Sequence, residues 1–216
     1  MRALEGQLLE NRPGPYVQIA TAAVPDGDDT LSYWHELGAT QASALGREQI
    51  VATALNHDHA NDDELAALVR GASLIYLSGG HPDFLADTLR GSKLWAAIET
   101  EWRNGAALAG CSAGAMAMTS WIPSLRSPQK GTTLGLSLLP HLRVIPHFDA
   151  FARFIPDIVT RYLHGKDPAV SLLGIDENTA IVGGPNKWTV HGQQSAWILG
   201  EGDRQEFRAG QTFVTE

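Results

Sequence analysis

Near-continuous apolar runs, rather than alternating apolar and polar positions, recur along the chain. They are "YVQIATAAV" (16–24), "ASLIYLSGG" (72–80), "AALAGCS" (106–112), "LRVIPHF" (142–148) and "SLLGID" (171–176). Short, unbroken runs of this kind predict strands buried on both faces, as in a parallel sheet. Helical patterns lie between them: "DDTLSYWHELGA" (28–39), "DDELAALVRG" (62–71), "PDFLADTLRGSKLWAAIETEWRNG" (82–105) and "DAFARFIPDIVTRYLHG" (149–165). Asp62 and Asp63 can cap the second, and Gly105 and Gly165 can stop the last two. Strand–helix alternation predicts an α/β fold, a mainly parallel sheet with helices on both faces. Towards the C-terminus "TAIVGGPNKWTVHGQQSAWILG" breaks into short strands split by Gly-Gly-Pro-Asn and His-Gly, which predicts antiparallel hairpins appended to the sheet. No internal repeat, low-complexity tract or linker interrupts the pattern, so residues 1–216 read as a single domain.

Composition narrows the class. The 216 residues are 44% hydrophobic and 19% charged, ordinary for a globular protein with a sizeable core. One cysteine excludes an internal disulfide, and no Cys/His cluster has zinc-site spacing, so neither a metal nor a cofactor is expected. The start, "MRALEGQLLENRPG", lacks a basic segment followed by an apolar one, so no signal peptide is expected. No apolar run approaches the ~18 residues of a membrane span. A cytoplasmic enzyme or binding protein fits these features. The net charge of −8, with sixteen scattered Lys and Arg, argues against nucleic acid as a partner. An acidic substrate would have to be met by a few local arginines against an unfavourable field.

Three of the predicted strands end in segments rich in chemistry: "SGGHPD", "GCSAGA" and "IPHFD". In an open α/β sheet, ligands bind beyond the carboxyl ends of the strands. Gly110-Cys111-Ser112-Ala113-Gly114 has the Gly-x-Ser-x-Gly pattern of a nucleophile elbow, in which small neighbours permit a strained turn that exposes the serine oxygen. The flanking glycines centre the elbow on Ser112, and Cys111 reads as a small core hydrophobe. Such a serine needs a base, and the base an orienting acid. Of the eight histidines, His147 combines the end of a buried-type strand with an immediately following helix. No Asp or Glu occurs between Glu101 and Asp149, so the acid does not lie between serine and histidine. Asp149, Asp157, Asp176 and Glu177 remain, the last two at a strand end in "GIDENTA".

"LIYLSGGHPDFL", "AGCSAGAMAM", "PHF" followed by an arginine, and "LGIDENTAIVGG" resemble the dipeptidase E and cyanophycinase family of serine peptidases, from about Tyr16 to Gly184 and in the family's order. The resemblance implies a fold like the class I glutamine amidotransferases, Ser112 as nucleophile, His147 as general base, and an oxyanion hole from the N–H groups of Gly80 and Ala113. Enterobacterial-type dipeptidase E takes its acid from the serine–histidine interval, which is empty here. The cyanophycinase branch takes the Glu of its "GIDE" segment, which falls on Glu177, with Asp176 as the fallback. Family members usually open with a strand and a glycine-rich loop before the helix that "MRALEGQLLEN" resembles, and no such strand is read here.

On substrate, cyanophycinases place Asp-Gln before the histidine and several arginines after it. This chain has Ile145-Pro146 before His147, keeps only Arg153 of the later set, with Phe151 and Pro156 at two of the others, and has Pro82 where a further Gln stands. Arg153 falls where dipeptidase E has an arginine close to the substrate's acidic side chain, so small Asp-X dipeptides are expected rather than cyanophycin. Arg126 and Arg161 are the next candidates for that role. A small peptide is thus the expected partner, with a homodimer left open. Two other readings stand beside it: an α/β-hydrolase esterase using Ser112, Asp176 or Asp149, and His191, and a non-catalytic family member that binds a small ligand.

Overall fold

The computed structural model describes residues 2–10, 12–123, 132–151, 170–200 and 203–215. They form two compact units, Arg2–Ala117 and Met118–Glu216. Among the described residues no helix is long and apolar enough to cross a membrane.

The Arg2–Ala117 unit is built on β1 (Tyr16–Ile19), β2 (Gln49–Val51), β3 (Leu74–Leu77) and β4 (Ala107–Gly110). They form a four-stranded sheet in the order β2-β1-β3-β4, every pair parallel. Val17, Ile19, Leu74, Ile75 and Leu77 are fully buried, as unbroken apolar runs require. Around the strands run α1 (Arg2–Leu9), α2 (Asp28–Ala44), α3 (His57–Ala60), α4 (Asp63–Ala67), α5 (Pro82–Leu89), α6 (Lys93–Arg103) and α7 (Ala113–Ala117), with a 3-10 helix at Thr21–Asp26. Leu9, Tyr16, Ala42, Leu74 and Ala107 pack together as one part of the core.

Local chemistry sets the helix ends. Asp62 caps α4, accepting from the N–H of Glu64 at 2.7 Å and of Leu65 at 3.4 Å. The pattern over 82–105, read as one helix, is two. Arg90 leaves helical geometry, Gly91 takes φ 71°, and Ser92 caps α6 by accepting from the Trp95 N–H. The run from Tyr16 likewise ends as a strand at Ile19 and continues as the 3-10 helix.

The Met118–Glu216 unit holds β5 (Trp121–Pro123), β6 (Thr132–Leu134), β7 (Leu142–Pro146), α8 (Phe148–Phe151), β8 (Ser171–Ile175), β9 (Thr179–Gly183), β10 (Lys187–Gly192), β11 (Ser195–Leu199), β12 (Arg204–Arg208) and β13 (Thr212–Val214). β7 and β8 pair in parallel, and β8 continues into antiparallel β11 and β12. β9, β10 and β13 form an antiparallel sheet of three, and β5 pairs with β6. β9, β10 and β11 are the short strands that the Gly-Gly-Pro-Asn and His-Gly breaks predict, while β12 and β13 lie beyond that stretch. One cluster of Leu142, Leu173, Trp188, Val190, Ala196 and Phe213 and another of Ile145, Phe148, Leu172 and Leu199 give this unit its own core.

Candidate active site

In the Arg2–Ala117 unit, Ser112 sits between β4 and α7 with φ 48°. A non-glycine residue in the left-handed region is uncommon and costs backbone energy, so its neighbours must hold it there. The two flanking glycines show how. A Cβ on Gly110 would lie 2.6 Å from the Gly114 carbonyl carbon, and one on Gly114 would lie 2.3 Å from the Leu77 carbonyl oxygen. Both clashes are with backbone, so the tight strand-to-helix turn exists only with glycine at both places. The Ser112 carbonyl accepts from the Met116 N–H at 3.1 Å, which makes Ser112 the residue that opens α7.

The loop after β3 runs beside this turn. A Cβ on Gly79 would lie 3.4 Å from Ser112 Cβ and 3.1 Å from Trp34 Cζ2, so Gly79 lies between the serine and the Trp34 indole. Gly80 takes φ 136°, and a Cβ there would lie 2.2 Å from the Ala22 carbonyl oxygen. That same oxygen accepts from the His81 N–H at 2.7 Å, and His81 Nε2 is 2.8 Å from Asp26 Oδ1, tying the loop to the 3-10 helix. Sequence reasoning did not single out this His81–Asp26 pair. Among the described residues, the N–H groups of Gly80 and Ala113 donate to no other backbone group. Cys111 is partly buried beside Tyr76, and burial pushes its thiol up, its hydrogen bond with Tyr76 acting the other way. A raised thiol is a poor source of thiolate.

In the Met118–Glu216 unit, His147 follows β7, opens α8, and takes φ 53°. Its Nδ1 is 3.2 Å from Glu177 Oε1, which leaves Nε2 directed away from that carboxylate. The side chains are 45% and 52% exposed, so the pair is open to solvent and to a ligand. Asp176 follows the last residue of β8, Glu177 comes next, and Asn178 beyond it takes φ 53°. Four non-glycine residues among those described have positive φ; Ser112, His147 and Asn178 are three of them. Such strain concentrates at functional sites.

The neighbouring acids are committed elsewhere. Asp176 is 8% exposed; its Oδ1 accepts from Trp197 Nε1 and its Oδ2 from the Ser195 N–H, each at 3.1 Å. Burial pushes its carboxyl up, those two bonds opposing the shift. Asp149 Oδ1 accepts from the Glu177 N–H at 2.9 Å, and its Oδ2 accepts from Gln194 Nε2 at 3.1 Å. His191 lies in β10 opposite Ala180 of β9, one residue before β10 ends. Arg126, Arg153, Pro156, Asp157 and Arg161 lie outside the described residues. Among the described residues no group of three or more His, Cys, Asp and Glu is placed to hold a metal ion.

The family model described as peptidase family S51 matches residues 23–189. A solved structure of a peptidase from an acI-B1 actinobacterium is 36% identical, with a TM-score of 0.87, covering 99% of this chain and 90% of that one. A protein from Listeria monocytogenes EGD-e assigned as peptidase E is 18% identical, with a TM-score of 0.60, covering 97% of this chain and 94% of that one, and shares the fold. The comparison with curated proteins gives no match.

Proposed function

The chain belongs to peptidase family S51 and is a serine-type peptidase, and from that premise we propose that it cleaves small Asp-X dipeptides with a triad of Ser112, His147 and Glu177. The observation that carries the reading is the 3.2 Å approach of His147 Nδ1 to Glu177 Oε1, while Asp176 is taken up by Trp197 and Ser195. A carboxylate on Nδ1 fixes the tautomer that leaves Nε2 as the base.

In this mechanism Ser112 Oγ attacks the scissile carbonyl carbon as its proton passes to His147 Nε2. The carbonyl oxygen takes up the negative charge and is met by the N–H groups of Gly80 and Ala113. The C–N bond then breaks, the amine leaves with the proton from His147, and an acyl-enzyme remains on Ser112. Water repeats the sequence: its proton goes to His147, its oxygen to the acyl carbon, and Ser112 leaves with the proton restored. Glu177 stabilises the imidazolium formed in both halves.

Arg153 supplies the acidic preference in this reading, as its match to the dipeptidase E position suggests. The departures at Ile145-Pro146, Phe151, Pro156 and Pro82 weigh against cyanophycin. A screen of dipeptides varied at the first residue, run beside cyanophycin, tests the reading. Asp-X should be cleaved fastest. Arg153→Met should raise its KM about tenfold or more, the loss of a charge-assisted bond of roughly 1.5–3 kcal/mol, with little effect on any neutral dipeptide that is cleaved. Unchanged Asp-X hydrolysis in Arg153→Met would move the specificity to another arginine.

A further inference from the structure

We propose that Asp149 is a positioning residue that holds Glu177 against His147; the inference rests on the triad reading above. Two links join the same two segments in opposite senses. His147 Nδ1 meets the Glu177 carboxylate at 3.2 Å, and the Glu177 N–H donates back to Asp149 Oδ1 at 2.9 Å, two residues beyond the histidine. The other side of Glu177 is held as well, since the Thr179 hydroxyl donates to its carbonyl oxygen at 3.2 Å. Asp149 is fixed in turn by Gln194 Nε2 at 3.1 Å on Oδ2, and the Gln194 N–H donates to the Thr179 hydroxyl at 3.2 Å.

Such a frame is needed because the histidine–glutamate pair is 45% and 52% exposed. A contact between two side chains so open to water is too weak to fix its own geometry. Precision must come from the main chain on which Glu177 rides, and Asp149 is the side chain that ties that main chain to the histidine's own segment. The Glu177 N–H holds the Asp149 carboxyl below the usual range, so it remains an ionised acceptor at neutral pH. Its position on α8, the element that His147 opens, makes acid and base move as one body.

The test is a double-mutant cycle, read as the rate at which a fluorophosphonate labels Ser112, with thermal melts to establish folding. Asp149→Ala should slow labelling by about tenfold to a hundredfold, the usual penalty for a displaced catalytic group. Asp149→Asn keeps the acceptor for the Glu177 N–H, and the Gln194 amide can turn its oxygen towards the new NH2, so this variant should stay close to the unsubstituted protein. Asp149→Glu keeps the charge on a longer arm and should be slowed like Asp149→Ala, which covers the case of an alanine variant that does not fold. In a Glu177→Ala background, Asp149→Ala should cost nothing further, because the group it positions is gone. A merely structural role would slow both backgrounds equally. Wild-type labelling by Asp149→Ala, or full additivity in the double variant, overturns the proposal and leaves the triad standing. Wild-type labelling by Glu177→Ala overturns both.

Discussion

At φ 48° Ser112 carries a backbone cost of about 1–2 kcal/mol that glycine would not carry. The expected signature is a trade of stability for function. Ser112→Ala should abolish turnover with little change in melting temperature, whereas Ser112→Gly should abolish it and melt no lower than the unsubstituted protein. A clear drop in melting temperature for the glycine variant would mean that the turn is held by the serine hydroxyl rather than in spite of its backbone. Asp176 and Glu177 make a second contrast. Glu177→Gln should lower the rate strongly and leave stability alone, since its side chain is half exposed and an amide cannot stabilise imidazolium. Asp176→Asn should do the reverse: the amide turns a donor towards the Trp197 N–H or the Ser195 N–H, at a cost of about 1–3 kcal/mol in chemical unfolding. The residue types alone left Asp149, Asp157, Asp176 and Glu177 open as the acid. Asp176 and Glu177 both lie past the last residue of β8, so their directions depend on the turn that follows, with Asn178 at φ 53°, and not on strand alternation. The same limit hid the bond from Asp149 to the Glu177 main chain, which only folding brings together.

Among the elements, β8 and α8 are joined through a missing side chain. A Cβ on Gly174 would lie 2.6 Å from Phe148 Cγ, so the Phe148 ring lies directly on the strand, with the Trp197 ring 5.9 Å away. Phe148 is 2% exposed and follows His147, so it anchors the start of the helix that His147 opens. Gly174→Ala should therefore destabilise by about 1–3 kcal/mol in urea unfolding and also lower turnover, although the residue touches no reacting atom. Loss of stability with full turnover would show that the ring can shift without carrying His147. Long, strongly apolar elements were legible in the sequence: the runs at 74–77, 107–110, 142–146 and 171–175 all became strands. β2 was missed, because it has three residues, none of them fully buried, and so leaves no apolar run. The break between α5 and α6 was missed for another reason: apolar spacing continues across Arg90-Gly91-Ser92, and only the cap chemistry marks the interruption.

For the whole molecule, the −8 charge sets a condition on any acidic substrate, which a local cation must offset. The two compact units each have a core of their own, and the chain's distribution of reporters separates them. Its one thiol, Cys111, belongs to Arg2–Ala117, while its six tryptophans divide evenly: 34, 95 and 102 in that unit, and 121, 188 and 197 in the other. Burial that keeps Cys111 protonated also shields it from alkylating reagents, so iodoacetamide should label the native protein slowly and the unfolded chain at the rate of a free cysteine. The thiol is thereby a built-in clock for the opening of one unit, while tryptophan emission averages over both. Run through the same denaturant series, coincident midpoints would mean that the halves melt as a single cooperative block. Separated midpoints would give each half its own free energy of unfolding, measured with no label, tag or substitution added to the chain.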